Sequence, residues 1–299
     1  MIKNNRVCKI FTMIFLILFA VLVTSNYAKP FYDAKKIYEE IKPAVVDENR
    51  AELRKKNEVL ILLYHNVTDK KKLSNEDDLY VHIDDFRDQL DYIVENGYNV
   101  LTVEELYELR QNNKEIPPKS MVLTFDDGDK SSYNVVFPEL EKRNLKATFF
   151  VTTRQLNDKG FVTKENLIEM HKAGQDIQSQ GHYNEDFINE SISKVHKSLY
   201  LSKKILEETL GKKILFLVYP NSSFNSEIIR VAQDVGYQWG LSTEAGKFYD
   251  HYFIMERVSV PGGSDLNQFV EKLNEFGYWF KWLSFKGSHF FIKNMNIKK

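Results

Sequence analysis

The stretch Met121-Val-Leu-Thr-Phe-Asp-Asp-Gly128 decides the fold of this chain. Met121 to Phe125 is a short apolar run of the kind that forms a buried strand. Neighbouring strand residues point to opposite sides, so the acids Asp126 and Asp127 at the strand end need not do the same job. One could hold a metal while the other takes a proton from the metal's water. Asp-Gly pairs are also common in turns, so the motif by itself leaves a simple polar turn open.

Apolar runs alternate with helical patterns on both sides of this stretch. Such alternation predicts parallel βαβ units, and seven or eight units in about 220 residues favour a (β/α) barrel over an open sheet. The predicted strands are 59–64, 98–101, 121–125, 147–152, 176–179, 214–219, 237–242 and 254–260. The predicted helices are 84–97, 102–111, 133–143, 163–172, 191–210, 226–235 and 264–276.

Polar side chains fall at or just beyond the ends of several predicted strands. In (β/α) barrels the reactive groups lie at the carboxyl ends of the strands. We therefore expect these polar side chains to face one cleft. They are His65, Asp126, Asp127, Gln180, His182 and Asn221.

The first 28 residues predict a signal peptide or a signal anchor. Lys3, Arg6 and Lys9 precede an apolar run from Ile10 to Val23, which is short for a membrane-spanning helix. No clean small-x-small cleavage site follows, so a secreted chain and a chain anchored in the cell membrane both stay open. In either case we expect the bulk of the chain outside the cytoplasmic membrane.

Four segments make up the predicted domain organisation. They are a signal or anchor segment at 1–28, a charged stalk at 29–57, the barrel at 58–276 and an aromatic, basic tail at 277–299. The tail could pack across the barrel bottom or lie on an anionic membrane face.

A net charge of −1, with no basic aromatic patch in the barrel, argues against a nucleic-acid partner.

Over about residues 58–275 the chain resembles the polysaccharide deacetylases of the NodB-homology type, carbohydrate esterase family four. Thr124-Phe-Asp-Asp-Gly128 matches the first motif of that family, and Ala147-Thr-Phe-Phe-Val151 matches the strand that follows it. Leu63-Tyr-His-Asn-Val67 and Glu256-Arg-Val-Ser-Val260 look like the branch that deacetylates poly-N-acetylglucosamine in biofilm matrices.

The resemblance implies a distorted (β/α) barrel, a divalent metal such as zinc, nickel or cobalt, and an extracellular amino-sugar polysaccharide as substrate. Asp126 would be the general base and Asp127 a metal ligand. The metal would polarise the acetamide carbonyl and lower the pKa of its bound water, and the base would take the proton from that water.

The second motif of the family, His-[Ser/Thr]-x-x-His, is altered in this sequence. A gapless match places Gln180 at the first histidine and Asn184 at the second. Amide oxygens are weak ligands for zinc-like metals, so the affinity of the site should fall. His182 and Asp186 stand four residues apart and could replace the missing pair; a surface histidine is the alternative for His182.

Four further residues are carried over from the resemblance as substrate contacts. His65 is expected near the metal, Tyr219 and Pro220 form a wall of the cleft, and Leu241 faces the pocket for the acetyl methyl group. The late Leu-x-x-His motif of the family is absent, and His251 is too loosely placed to replace it.

Three interpretations of function follow from these residues. The intact Asp126 and Asp127 favour a metal-dependent N-deacetylase of an extracellular amino-sugar polymer such as poly-N-acetylglucosamine. The missing histidines favour a non-catalytic, glycan-binding relative that has lost the metal site. A deacetylase of peptidoglycan is a further alternative.

Overall fold

The computed structural model describes residues 59–69, 79–243 and 255–274 of the 299-residue chain. The predicted signal or anchor segment, the stalk, the tail after residue 276 and His251 lie outside these ranges. Within them, no helix is long and apolar enough to cross a membrane.

The strands and helices of the described residues alternate as predicted. The strands are β1 (Leu60–Tyr64), β2 (Asn66–Thr68), β3 (Tyr80–His82), β4 (Asn99–Leu101), β5 (Ser120–Phe125), β6 (Thr148–Val151), β7 (Asp176–Ser179), β8 (Phe216–Val218), β9 (Trp239–Ser242), β10 (Met255–Glu256) and β11 (Val258–Ser259). The α-helices are α1 (Ile83–Glu95), α2 (Val103–Gln111), α3 (Phe137–Glu141), α4 (Lys164–Lys172), α5 (Ile192–Leu210), α6 (Ser226–Val235) and α7 over 266–274.

The main sheet is parallel throughout and nearly closes on itself. Its strand order is β10-β9-β8-β7-β6-β5-β1-β11, with β4 beside the first half of β5. The outer strands β10 and β11 belong to one length of chain that is interrupted at Arg257. The Arg257 N–H donates to Ser242 O at 2.9 Å on one side of the gap, and the Val260 N–H donates to Leu63 O at 2.9 Å on the other. The predicted distorted (β/α) barrel is confirmed.

Two apolar layers stabilise this barrel. Inside it, β-strand side chains pack against Val103 and Leu106 of α2, which lies across the amino-terminal ends of the strands. The ring centre of Tyr107 in α2 lies 5.3 Å from that of Phe216 and 5.1 Å from that of Trp239. The larger layer lies between the sheet and the surrounding helices. The interior strand residues are Ile61, Val122, Phe150, Phe216, Val218, Trp239 and Leu241.

Local sequence signals place several helix ends correctly. Thr102 and Glu105 form the predicted capping box, with Oγ1 of Thr102 accepting from Glu105 N–H at 3.0 Å and Oε2 of Glu105 accepting from Thr102 N–H at 2.9 Å.

The prediction of a single helix over 133–143 is wrong, since a π turn (Ser132–Val136) precedes the short α3. Pro138 explains the change because it has no N–H to donate into a regular helix.

Glu139 of α3 is the centre of a charge cluster that ties α3 to α1. Its side chain is 5% exposed and accepts hydrogen bonds from Arg87 at 3.0 Å, Lys142 at 2.8 Å and Arg143 at 2.9 Å. Burial opposes ionisation of Glu139, but the hydrogen bonds from these three cations outweigh it and lower its pKa to about 2.

We expect Glu139→Gln to lower the free energy of unfolding by about 1–3 kcal/mol at pH 7, because hydrogen bonds to a charged group are lost. The folded pKa of Glu139 lies below its ordinary value of 4.5. The contribution of Glu139 to the free energy of unfolding is therefore complete above pH 4.5 and is lost as the pH falls towards 2. Urea unfolding at pH 7 and pH 3 measures the difference, with the exposed Glu141→Gln as control. Equal losses for both variants, or a Glu139→Gln loss that is as large at pH 3 as at pH 7, would contradict the cluster's role.

Candidate active site

The two acids of the central motif lie at the carboxyl end of β5, beside the end of β1. The Asp126 N–H donates to Tyr64 O at 3.1 Å, which continues the strand pairing by one residue. The chain then turns through left-handed conformations, with φ of +69° at Asp127 and +76° at Gly128. A Cβ on Gly128 would lie 3.0 Å from a methyl carbon of Val151. The turn therefore needs glycine there, and it directs the two carboxylates to different partners.

Asp126 forms a buried ion pair with Arg257. Oδ1 of Asp126 accepts from Nη1 of Arg257 at 2.7 Å, and Oδ2 accepts from Nη2 at 2.7 Å. Asp126 is 3% exposed and Arg257 is 4% exposed. Nη1 also donates to Oγ1 of Thr124 at 3.2 Å, and the guanidinium lies 5.6 Å from the ring centre of Phe150. Such a bidentate pair fixes the position and orientation of the carboxylate.

Arg257 is a site residue that the sequence motifs did not indicate, although it lies in the segment 256–260. One signal could have found it. Arg257 is a cation within the last predicted strand, and a charged residue in a buried strand needs a counter-charge. The strand itself is split at Arg257 into β10 and β11, which corrects the continuous strand predicted over 254–260.

Asp127 is held by Gln180 through two reciprocal hydrogen bonds. Oε1 of Gln180 accepts from the Asp127 N–H at 2.6 Å, and Nε2 of Gln180 donates to Oδ1 of Asp127 at 2.7 Å. Burial raises the pKa of Asp127, and the charge of Asp126 raises it further. The nearby His65 and the hydrogen bond from Gln180 act in the opposite direction.

The residues present do not fit the divalent metal that the resemblance implies. Among the described residues, no group of three or more His, Cys, Asp and Glu side chains is placed to hold a metal ion. Gln180, at the position of the first family histidine, lies next to Asp127, but its oxygen accepts from a backbone N–H. Asn184, at the position of the second family histidine, is exposed. The ligand roles of Asp127, Gln180 and Asn184 stay predictions.

His182 and Asp186, the suggested replacement pair, bond to different partners. Nδ1 of His182 lies 2.9 Å from Oγ1 of Thr153. Burial lowers the pKa of His182, and the charges of Arg154 and Lys197 lower it further. The carboxylate of Asp186 accepts from the hydroxyl of Ser223, and from the side-chain amide of Asn189 at 2.6 Å.

The predicted substrate contacts lie at the same end of the barrel as the acids. The Tyr219 N–H donates to Leu241 O at 3.2 Å, which joins the ends of β8 and β9. Tyr219 and Pro220 are buried, and the ring centres of Tyr219 and Phe224 are 5.1 Å apart. Leu241 is fully buried in the barrel interior. His65 is partly buried at the end of β1. Their roles in substrate binding stay predictions.

Comparison with known proteins matches this geometry to one family. Residues 113–240 match the family model described as polysaccharide deacetylase. The central part of the chain is therefore similar to the polysaccharide deacetylases. A Bacillus subtilis protein whose name assigns it to the polysaccharide deacetylases is 28% identical over 218 residues, 71% of this chain and 76% of the relative. The poly-β-1,6-N-acetyl-D-glucosamine N-deacetylase of Staphylococcus epidermidis is 27% identical over 222 residues, 66% of this chain and 76% of the relative.

A solved structure shows the same similarity. The Streptococcus pyogenes deacetylase PplD, solved in complex with acetate, superposes with a TM-score of 0.65 at 26% identity. The match covers 71% of this chain and 96% of PplD. The homologues and the fold are thus those of the carbohydrate esterase family four deacetylases, which are hydrolases that act on amide bonds.

We expect Arg257→Leu to destabilise the protein by about 3–5 kcal/mol, because it leaves the buried charge of Asp126 without a partner. The double variant Asp126→Asn with Arg257→Leu should recover part of that loss, since no buried charge remains. Denaturant unfolding of both single variants and the double variant measures the coupling. Additive losses would contradict a direct interaction between the two side chains.

Proposed function

We propose that this protein removes acetyl groups from an extracellular amino-sugar polymer such as poly-N-acetylglucosamine. The observation that carries the proposal is Asp126, a carboxylate fixed by Arg257 at the carboxyl end of β5. Reactive groups of this barrel type are found at that end. Among the relatives, the Staphylococcus epidermidis protein is named for this polymer and this reaction.

The reaction is the hydrolysis of an acetamide. Water adds to the carbonyl carbon, the C–N bond breaks, and acetate and a free amine leave. Asp126 would take a proton from the attacking water, and that proton would pass to the leaving nitrogen as the C–N bond breaks. Arg257 would keep the Asp126 carboxylate in place as the proton moves. Each amine released becomes cationic, so the polymer would adhere more strongly to anionic cell surfaces.

The extracellular location belongs to the same proposal. It is supported by the basic residues and apolar run of the first 28 residues. If that segment is not cleaved, it would anchor the protein in the cell membrane and present the barrel to the polymer outside.

A second candidate function is recognition of the same polymer without hydrolysis. The Asp127–Gln180 pair favours it, because in this arrangement a carboxamide satisfies the acid that would otherwise bind a metal. The cleft would then bind N-acetylated sugars at the strand ends and leave them unchanged.

The test is an assay of the full-length protein with N-acetylglucosamine oligomers and, separately, with peptidoglycan fragments. We expect acetate release from the oligomers, and a loss of about 100-fold or more in Asp126→Asn because the general base is removed. The exposed loop variant Asp158→Asn is the control and should keep full activity. Thermal melts of each variant are needed alongside, because Asp126→Asn leaves Arg257 without its counter-charge.

Other outcomes separate the alternatives. Oligomer binding by calorimetry with no acetate release would support the second candidate. Acetate release from peptidoglycan fragments but not from the oligomers would show that the substrate is peptidoglycan and not poly-N-acetylglucosamine. Neither binding nor release with either glycan would contradict both candidates.

A further inference from the structure

We propose that the carboxamide of Gln180 takes the place of a divalent cation at Asp127, so that the cleft of this chain is a metal-independent site. The inference goes beyond the proposed function, because it holds whether the cleft hydrolyses its glycan or only binds it. It rests on the hydrogen bonds, the burial and the surroundings of Gln180.

The hydrogen-bonding groups of Asp127 fix which way the Gln180 amide faces. The Asp127 N–H can only donate, so it needs the amide oxygen, which lies 2.6 Å away. The Asp127 carboxylate, when ionised, can only accept, so it needs the amide nitrogen, which lies 2.7 Å away from Oδ1. If the amide were flipped, its NH2 group would face the Asp127 N–H and its oxygen would face the Asp127 carboxylate, so neither hydrogen bond could form. The group that faces Oδ1 is therefore an N–H donor, which cannot ligate a metal.

The backbone around Gln180 keeps the amide in this position. Gln180 is 4% exposed, and its N–H donates to Val151 O at 3.1 Å. The next N–H, of Gly181, donates to Oγ of Ser179 at 3.0 Å. Gly181 has φ of +84°, and a Cβ there would lie 3.2 Å from the ring of Phe187. Swinging the Gln180 oxygen towards a metal would break both bonds to Asp127 in a segment with little room to move.

Among the residues that the structure describes, the side chains around Asp127 do not supply a replacement ligand set. Both oxygens of Asp126 accept hydrogen bonds from Arg257. Nδ1 of His182 is hydrogen-bonded to Oγ1 of Thr153. The second oxygen of Asp127 and one imidazole from His65 would give two protein ligands. Catalytic zinc sites use three protein ligands and a water.

The first measurement is the metal content of the full-length wild-type protein after equilibration with zinc, nickel or cobalt and removal of free metal. We expect no more than about 0.1 metal ion per chain, because Asp127 is already satisfied by Gln180. The melting temperature should be the same with each metal and with a chelator, since a ligand that does not bind the folded state cannot stabilise it.

The variant Gln180→Glu should reverse this behaviour. It keeps the side-chain length and the acceptor for the Asp127 N–H, but it sets a second carboxylate against Oδ1 of Asp127. A divalent cation between the two carboxylates would relieve their repulsion. We expect metal affinity to rise by about 100-fold or more, and the melting temperature to depend on the metal.

Gln89→Glu is the matched control for a buried Gln→Glu change. Gln89 is fully buried, but its amide accepts from the Tyr64 hydroxyl and donates to Ser264 O, so these bonds do not join it to a carboxylate. It should gain no metal response. If Gln180→Glu does not fold, the double variant Gln180→His with Asn184→His serves as the second test, because it restores the imidazoles of the family motif.

Two results would overturn the proposal. Stoichiometric metal in the wild type that is lost in Asp127→Asn would show that Asp127 binds a cation despite Gln180. A folded Gln180 variant with no gain in metal affinity would show that Gln180 is not what excludes the cation. Neither measurement contains a glycan, so a failure of the proposed function would leave this result unchanged.

Discussion

The buried ion pair between Asp126 and Arg257 joins the closure of the barrel to its chemistry. Arg257 lies where the last strand leaves β9 and crosses to β1, so its backbone spans the gap in the sheet. Its side chain crosses the interior to the first acid of the central motif. A buried charge without a partner costs several kcal/mol, so each residue requires the other. The position of the proposed base therefore depends on the sheet having closed.

The neighbouring acid is satisfied in a different way. The left-handed turn at Asp127 sends its carboxylate to a neutral amide, whereas Asp126 meets a full positive charge. Members of this family are deacetylases whose chemistry generally depends on a metal, yet here the second acid is already hydrogen-bonded within the protein. The same two acids thus support the similarity of this chain to the family, while the hydrogen bonds of Asp127 distinguish this chain from the usual metal site of that family. The proposed base is intact, while the residue expected to hold the metal has another partner.

Local elements were predictable because their causes are local. The capping box at Thr102 and Glu105, the strand 176–179 and the helix 226–235 all depend on residues within a few positions of each other. The errors have local physical causes as well. Pro138 replaces part of a predicted helix with a π turn. The predicted strand over 254–260 is divided at Arg257, where the chain changes its pairing partner from β9 to β1.

The sequence by itself determined the alternation of strands and helices, and therefore the barrel class and the strand end at which the acids lie. Periodicity, caps and turn residues act over short distances and can be read in order along the chain. Only the tertiary structure decided the partners of the acids. Arg257 lies 131 residues from Asp126, and Gln180 lies 53 residues from Asp127. These side chains meet because parallel strands from distant parts of the chain align in one register, and no local pattern specifies that alignment.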